Sequence, residues 1–288
     1  MYSSFSVFIL CGIFLVFSCS ELNSTQENNI NQKQARQTVV ASKDLPFEAT
    51  TEMVTILGGE YIPLYGRDSI RVHVNDLLMD VYPVTNENFA AFVKKNRRWG
   101  KSQIKKIFAD DNYLMHWQND TTLGISMNQQ SPVTNVSWYA AKAYCECQGK
   151  RMPTVDEWEY VAMADQESAD ARKKGPYNQY ILDWYERPKT FVNPVGKTFQ
   201  NYWGVYDLHG LVWEWTSDFS STLLTGESRN DVSSDKNLFC GDGSLKASDL
   251  MNYAAFLRYA FRSSVRANYG VQNLGFRCVK DLQQNEKE

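Results

Sequence analysis

The feature that most constrains the fold of this chain is that its regular patterns are short. Outside three helical segments, the sequence consists of brief alternating runs broken by Gly, Asn and Pro, as in residues 55–65, 72–84 and 203–208. Such runs are typical of short strands joined by long loops. Long loops need aromatic packing or bound ions to fix them, and the chain contains 15 Phe, 16 Tyr and 8 Trp. The pattern predicts an α+β domain with little regular secondary structure.

Three helices are predicted from capping residues and apolar spacing. The first follows Thr85, which can cap it, and has apolar residues three and four positions apart. The second begins after Ser137 and ends at Gly149, because glycine favours the position just beyond a helix. The third opens with a capping box formed by Thr154 and Glu157.

Charge and composition exclude two classes of protein. The chain has 30 Lys and Arg against 33 Asp and Glu, a formal net charge of −3, and 43% of its residues are hydrophobic. A near-neutral chain lacks the electrostatic footprint of a nucleic-acid-binding protein, so no nucleic-acid partner is expected. The apolar fraction is too high for a disordered chain.

The N-terminus is typical of an exported protein. Residues 5–17 are almost purely apolar but too short to span a bilayer comfortably, which indicates the apolar region of a secretory signal. The stretch ends at residues 16–19, which resemble a bacterial lipobox, in which the cysteine becomes lipidated. We predict a signal peptide over 1–18 and lipidation of Cys19. The alternatives are an ordinary signal peptide with an incidental cysteine, or an uncleaved anchor.

The rest of the chain divides into a tether, one domain and a tail. Residues 20–48 are rich in Asn, Gln, Ser and charge, so 19–49 is predicted to be the lipidated cysteine and a flexible tether. A single domain is predicted over 50–281, followed by a tail at 282–288. A lipid anchor would attach the domain to the membrane of the cell envelope, periplasmic or outer-membrane facing.

Four segments of the domain carry a recognisable pattern. They are residues 58–62 with 80–89, 132–160, 203–215 and 262–278. In order and spacing they resemble the sulfatase-modifying-factor family, the formylglycine-generating enzyme domain. The resemblance spans nearly all of 58–279 and implies a fold like that of a C-type lectin, compact, mixed α+β and poor in regular structure. That fold agrees with the short runs described above.

The resemblance also implies a catalytic site, which this sequence lacks. The family's enzyme binds copper through two cysteines five positions apart and oxidises a substrate cysteine to formylglycine, since thiolates hold the soft Cu(I) ion. The matching positions are Ala247 and Asn252, or Asp249 and Ala254 when counted back from Arg262. Neither pair contains a cysteine, so copper and the known mechanism are not expected.

The domain's own cysteines fit structural roles. In the family, the positions of Cys145 and Cys278 form a disulfide, and export favours such a bond. Cys147 and Cys240 are unassigned. A second bridge between them is one alternative, and a metal site at Cys145 and Cys147 is another. The metal site is disfavoured because residues two apart on a helix point about 200° apart.

The resemblance implies a calcium loop at residues 207–214. The carboxylates of Asp207 and Glu214 and the backbone carbonyls of Gly210 and Val212 are the hard oxygen ligands that Ca²⁺ requires. The alternative is that Glu214 accepts hydrogen bonds within a rigid loop and no ion binds. We expect calcium here.

A binding groove is implied near the end of the domain. Ser244, Arg262 and Arg266 match or flank the family's substrate groove, and aromatic residues lie close to them in sequence. Arginine beside aromatic rings makes good contacts with peptides and anions. The alternative is that the aromatic residues pack the core and the arginines bond loop carbonyls.

Two hypotheses for function follow. The first is a cell-envelope lipoprotein that lacks the copper cysteines and acts as a binding, scaffold or maturation-accessory module for an exported protein or peptide. The second is an oxidoreductase that modifies an exported protein or peptide through a non-standard site. The sequence leaves open whether the chain is an enzyme, although Ala247 and Asn252 favour the first hypothesis.

Overall fold

The computed structural model describes residues 44–47, 51–64, 70–220 and 250–282. The predicted signal peptide and most of the tether lie outside these residues, as do Cys19, Cys240, Ser244, Ala247 and Asp249. None of the described helices is long and apolar enough to cross a membrane.

The described residues contain five α-helices and seven short β-strands. In chain order they are β1 (Met53–Ile56), β2 (Gly59–Tyr61), β3 (Val72–Val74), β4 (Leu77–Asp80), α1 (Asn86–Lys95), α2 (Trp138–Cys147), α3 (Val155–Ala162), α4 (Gly175–Tyr185), β5 (Trp213–Glu214), α5 (Leu250–Ser264), β6 (Leu274–Gly275) and β7 (Val279–Asp281). Single 3-10 turns occur at Arg97–Trp99 and Thr190–Val192. The longest of these strands has four residues, which confirms the predicted scarcity of regular structure.

The described strands form one three-stranded and two two-stranded sheets. β4 lies between β1 and β7 and is antiparallel to both, with Met79 opposite Val54 on one side and Val279 on the other. β2 pairs antiparallel with β3, and β5 pairs in parallel with β6. Because β1 is the first described strand and β7 the last, β4 joins the two ends of the domain in one sheet.

The three predicted helices are present with the predicted caps. The hydroxyls of Thr85 and Ser137 each accept a backbone N–H of the following helix at 3.3 Å. The Thr154 hydroxyl accepts the N–H of Glu157 at 3.1 Å, and the Glu157 carboxylate accepts the N–H of Thr154 at 2.8 Å. Gly149 follows α2 with a φ of +66°, a conformation that favours glycine.

Aromatic packing holds these elements together. Phe89 on α1 stacks against Tyr144 on α2 with ring centroids 5.9 Å apart, and Phe276 meets both edge-on at 6.2 and 5.3 Å. All three side chains are fully buried. Each such pair adds about 0.5–1.5 kcal/mol beyond the burial of its area. The aromatic residues therefore fix a fold with little hydrogen-bonded sheet.

Two helices, α4 and α5, have no counterpart among the predicted ones. α4 begins at Gly175 without a side-chain cap and has Pro176 in its first turn, so the usual Ser, Thr, Asp or Asn signal is missing. α5 occupies the segment in which the resemblance places the copper cysteines. The two helices pack against each other and border the site described next.

Candidate functional site

Two arginines and one glutamate meet in the interior between α3 and α5. Arg258 and Arg262 lie four residues apart on α5, so they share one face of that helix. Glu159 lies on α3 and contacts both. Arg258 is 7% exposed, Arg262 5% and Glu159 8%. We call these three residues the arginine cluster.

Both guanidinium groups hold Glu159. The Nε of Arg258 donates to the two carboxylate oxygens at 3.0 and 3.1 Å, and its Nη2 donates at 2.7 Å. The Nη1 of Arg262 donates at 2.6 Å. Burial alone would raise the pKa of Glu159, but the two positive charges outweigh it and lower the pKa to about 2. Glu159 is therefore ionised at neutral pH.

The Arg262 guanidinium also lies over aromatic rings. Its central carbon is 4.9 Å from the ring centroid of Trp158 and 5.6 Å from that of Tyr259. Such cation–π contacts are worth about 0.5–2 kcal/mol, with the higher values at desolvated sites. The indole N–H of Trp158 donates to Glu214 at 2.8 Å, so one side chain contacts both the arginine cluster and the predicted calcium loop.

Glu214, a predicted calcium ligand, is the partner of a buried arginine. Arg277 donates to its two carboxylate oxygens from Nη2 at 2.7 Å and from Nε at 2.8 Å, and both side chains are 0% exposed. Each oxygen of Glu214 therefore already accepts a charge-assisted hydrogen bond. A carboxylate neutralised in this way has little attraction left for a cation.

The other predicted ligands lie in a loop whose oxygens are also engaged. The Oδ2 of Asp207 accepts the N–H of Gly196 at 2.6 Å, and its Oδ1 accepts the hydroxyl and N–H of Thr198 at 2.8 and 3.2 Å. Gly210 has a φ of +106°, and Val212 is fully buried. No group of three or more His, Cys, Asp or Glu side chains among the described residues is arranged to hold a metal ion. The carboxylate oxygens of Asp207 and Glu214 thus already accept hydrogen bonds, and calcium binding at this loop stays a prediction.

Cys145 and Cys278 form the disulfide that the resemblance implies. The bond joins α2 to the residue before β7, with Cα atoms 5.6 Å apart. Cys147 keeps a free, half-buried thiol, and burial raises its pKa to about 11. Because Cys145 is in the disulfide, it cannot ligate a metal together with Cys147.

Comparison of the sequence with known proteins assigns the chain to a family. A sequence profile of the "Sulfatase-modifying factor enzyme 1-like domain" matches residues 38–282. The chain belongs to this family. The resemblance recognised in its sequence is thereby confirmed.

Relatives of this sulfatase-modifying factor-like protein include one named as a formylglycine-generating enzyme and one named as an inactive enzyme of that kind. "Inactive C-alpha-formylglycine-generating enzyme 2" of Bos taurus is 29% identical, over 80% of this chain and 88% of the relative. "Formylglycine-generating enzyme" of Streptomyces coelicolor is also 29% identical, over 77% of this chain and 84% of the relative. Among solved structures, PvdO from Pseudomonas aeruginosa is 20% identical with a TM-score of 0.43, and the match covers 83% of this chain and 96% of PvdO. Family membership alone therefore does not decide whether the chain is a catalyst.

In this family member, the arginine cluster borders a small cavity between α3, α4 and α5. The cavity has a volume of about 20 Å³, and its walls include Glu159, Arg258 and Ala254. Ala254 is 1% exposed and is one of the positions that the resemblance assigns to a copper cysteine. In the register counted back from Arg262, the position of a copper cysteine therefore carries a methyl group.

The three predicted binding residues are placed differently from one another. Arg262 is buried and pairs with Glu159, whereas Arg266 is exposed and lies 5.8 Å from the ring centroid of Tyr269. Ser244 lies outside the described residues. Arg262 thus bonds a carboxylate instead of the loop carbonyls considered as an alternative, and a shared groove stays a prediction.

Sequence reasoning missed three buried charged or titratable residues. Arg258 stands one helical turn before Arg262, so recognising α5 would have found it. Glu159 gives no local signal, because other acidic residues stand beside it on α3. His209 is 2% exposed, with Nε2 3.0 Å from the carbonyl of Ala162. Burial lowers the pKa of His209 to about 3, so its imidazole is neutral at physiological pH.

Proposed function

We propose that this chain is a non-catalytic formylglycine-generating enzyme-like protein that binds an exported protein or peptide at the cell envelope. The observation that carries the proposal is the methyl group of Ala254 in the cavity beside Arg258. The other candidate positions, Ala247 and Asn252, contain no thiol either. Without two thiolates, Cu(I) lacks the soft ligands that it prefers.

The remaining described thiol does not replace the missing pair. Cys147 lies at the end of α2, and its raised pKa of about 11 keeps it protonated at neutral pH. A protonated thiol is a poor metal ligand and a poor nucleophile. A relative named as inactive belongs to the same family, which supports a role for this domain that does not depend on catalysis.

The envelope part of the proposal rests on the N-terminal sequence. The apolar run at 5–17 ends at Cys19 in a lipobox-like segment, and the polar tether follows at once. A random coil as long as the tether that the sequence predicts has a root-mean-square end-to-end distance of roughly 30 Å. An anchor and a spacer of that length would place the domain's partners near the membrane surface.

The first test is a copper and oxidation assay on the purified domain. We expect no stoichiometric uptake of Cu(I) and no aldehyde when the domain is incubated with copper, oxygen and a sulfatase-type cysteine peptide. Mass spectrometry of the peptide measures the aldehyde, and a chelator competition measures copper. Aldehyde formation would overturn the proposal and favour the oxidoreductase alternative.

A gain-of-function variant controls for access to the site. The double substitution Asp249→Cys and Ala254→Cys places two thiols five positions apart with one of them in the cavity wall. We expect this variant to take up Cu(I). The pair Ala247→Cys and Asn252→Cys tests the other register, and the single substitution Ala254→Cys is the control for one added thiol. Copper uptake by the first variant shows that failure of the natural domain reflects its missing ligands.

The second test concerns the anchor. We expect Cys19→Ala to release the processed protein from the membrane fraction, because a lipid chain can no longer be attached. Fractionation of cells, followed by immunoblotting, measures the shift, and Cys11→Ala, within the predicted signal peptide, is the matched control. A Cys19→Ala protein that is processed and still sediments with membranes would contradict a lipid anchor.

A further inference from the structure

The arginine cluster holds more positive than negative charge. Two guanidinium groups, of Arg258 and Arg262, share the single carboxylate of Glu159, and all three side chains are buried. Neither arginine forms a second ion pair within the described part of the chain. A buried charge without a counter-ion is unfavourable, because the protein interior solvates it poorly. The cluster therefore favours one additional anion nearby.

Arg258 keeps donors that Glu159 does not use. Its Nε and Nη2 contact Glu159, whereas its Nη1 has only the hydroxyl of Tyr185, at 3.4 Å. That contact is long for a hydrogen bond. A guanidinium offers five N–H donors in a planar fork, so one edge of Arg258 is left without a good acceptor among the described residues.

The cavity lies beside Arg258. Arg258 lines it, and the other guanidinium in its wall, that of Arg172, is already paired with Asp170 at 2.7 Å. A volume of about 20 Å³ accommodates one or two water molecules. A planar carboxylate head is closer to this size than a tetrahedral anion such as phosphate.

The other carboxylates near the cluster have different partners. Asp156 accepts the hydroxyl of Tyr61 at 2.8 Å, and Asp218 accepts the N–H of Val155 at 2.7 Å. Burial raises the pKa of the Asp218 carboxyl, and the charge of Arg262 acts on that carboxyl and opposes this stronger effect. Neither carboxylate lies within ion-pair distance of Arg258 or Arg262 in the described residues. Within the part of the chain that the structure describes, the acidic groups thus leave the second edge of Arg258 open.

We infer that the cavity binds a single monovalent carboxylate, held by the Nη1 edge of Arg258. With the carboxylate bound, negative and positive groups alternate in the order carboxylate, Arg258, Glu159, Arg262, and the two charges of each sign balance. Guanidinium edges match the planar, two-oxygen geometry of a carboxylate. A dianionic phosphate would be larger and would add more negative charge than the cluster lacks.

This inference deepens the proposed function, on which it rests for the origin of the carboxylate. A bound peptide would supply the group as an acidic side chain or a chain terminus, and a free small acid would supply the same chemistry. The two sources differ only in what is attached to the carboxylate, so small probes can separate them.

Formate is the probe for the site itself. We expect ¹³C-formate to show protein-dependent line broadening, and sodium formate to raise the unfolding midpoint above that in sodium chloride at equal ionic strength, because a ligand bound only to the folded state stabilises it. In Ala254→Leu, which fills the cavity without changing charge, the affinity for formate should fall at least about tenfold. Ala260→Leu, a half-buried alanine on the same helix, is the control.

A second variant guards against a folding defect in Ala254→Leu. Arg258→Lys keeps the charge but removes the planar fork, and it should weaken formate binding, whereas Arg97→Lys, at an exposed arginine outside the cavity lining, should not. Two results would overturn the inference. One is equal broadening of the ¹³C-formate line by the natural protein, Ala254→Leu and Arg258→Lys, and the other is an unfolding midpoint that is the same in sodium formate and sodium chloride.

The origin of the carboxylate is tested with N-acetylglycine and its amide. Displacement of ¹³C-formate by N-acetylglycine but not by the amide supports a peptide-borne carboxylate. If formate binds but N-acetylglycine does not displace it, the site is supported, and a peptide as the source of the carboxylate is contradicted. Aldehyde formation in the copper assay would contradict the proposed non-catalytic function without changing the result of the formate experiment. Failure of the proposed function can therefore be told apart from failure of the carboxylate site.

Discussion

Removal of the Cys145–Cys278 disulfide is expected to lower the free energy of unfolding by about 5 kcal/mol in the chain-entropy model. The two cysteines are 133 residues apart. Without the bond, the unfolded chain therefore gains the conformational entropy of a long loop that is no longer closed. Globular domains are stable by only about 5–15 kcal/mol. The bond therefore accounts for a large part of the margin that keeps this loop-rich domain folded.

The measurement is denaturant unfolding of the double variant Cys145→Ala and Cys278→Ala. Cys147→Ala is the matched control, because it removes a neighbouring half-buried thiol and leaves the bond intact. The natural protein in reducing buffer should unfold at the same denaturant concentration as the double variant, apart from a small packing difference. A double variant as stable as Cys147→Ala would show that the bond contributes nothing.

The sequence predicts those parts of this fold that depend on near neighbours. Thr154 and Glu157 are three residues apart, and their reciprocal hydrogen bonds form as predicted. The caps at Thr85 and Ser137 are local in the same sense. Helix α4 was missed because it begins without a side-chain cap. In this chain, local sequence therefore predicts the helices whose N-terminus carries a capping side chain.

The candidate site was predicted less well, because its charges pair across the chain. Glu159 and Arg258 are separated by 99 residues, and Glu214 and Arg277 by 63. The loop motif identifies Glu214 as an acidic residue of the loop. It does not indicate which positively charged side chain pairs with it in the fold. The family resemblance implies a calcium ligand at Glu214, which stays a prediction, but it gives no sign of the guanidinium that pairs with this carboxylate in the structure.

Glu159→Gln is expected to destabilise the protein by about 3–5 kcal/mol, the usual cost of removing one partner of a buried ion pair. The substitution keeps the size of the side chain but leaves Arg258 and Arg262 without a counter-ion in the described interior. Denaturant unfolding at neutral pH measures the loss. Glu146→Gln is the control, because Glu146 pairs with Lys142 on the surface, and exposed pairs contribute about 0–1 kcal/mol.

The pH dependence separates loss of the charge from a change in packing. The pKa of Glu159 is lowered from 4.5 to about 2 in the folded protein, so its contribution is complete above pH 4.5 and is lost as the pH falls from there toward 2. Within that window the natural protein should lose about 1.4 kcal/mol per pH unit through this group. Glu159→Gln removes the titrating group, so its difference from the natural protein should shrink in the same window. A difference that stays constant from pH 7 to pH 3 would show that Glu159 acts through its shape, and that the two arginines do not depend on its charge.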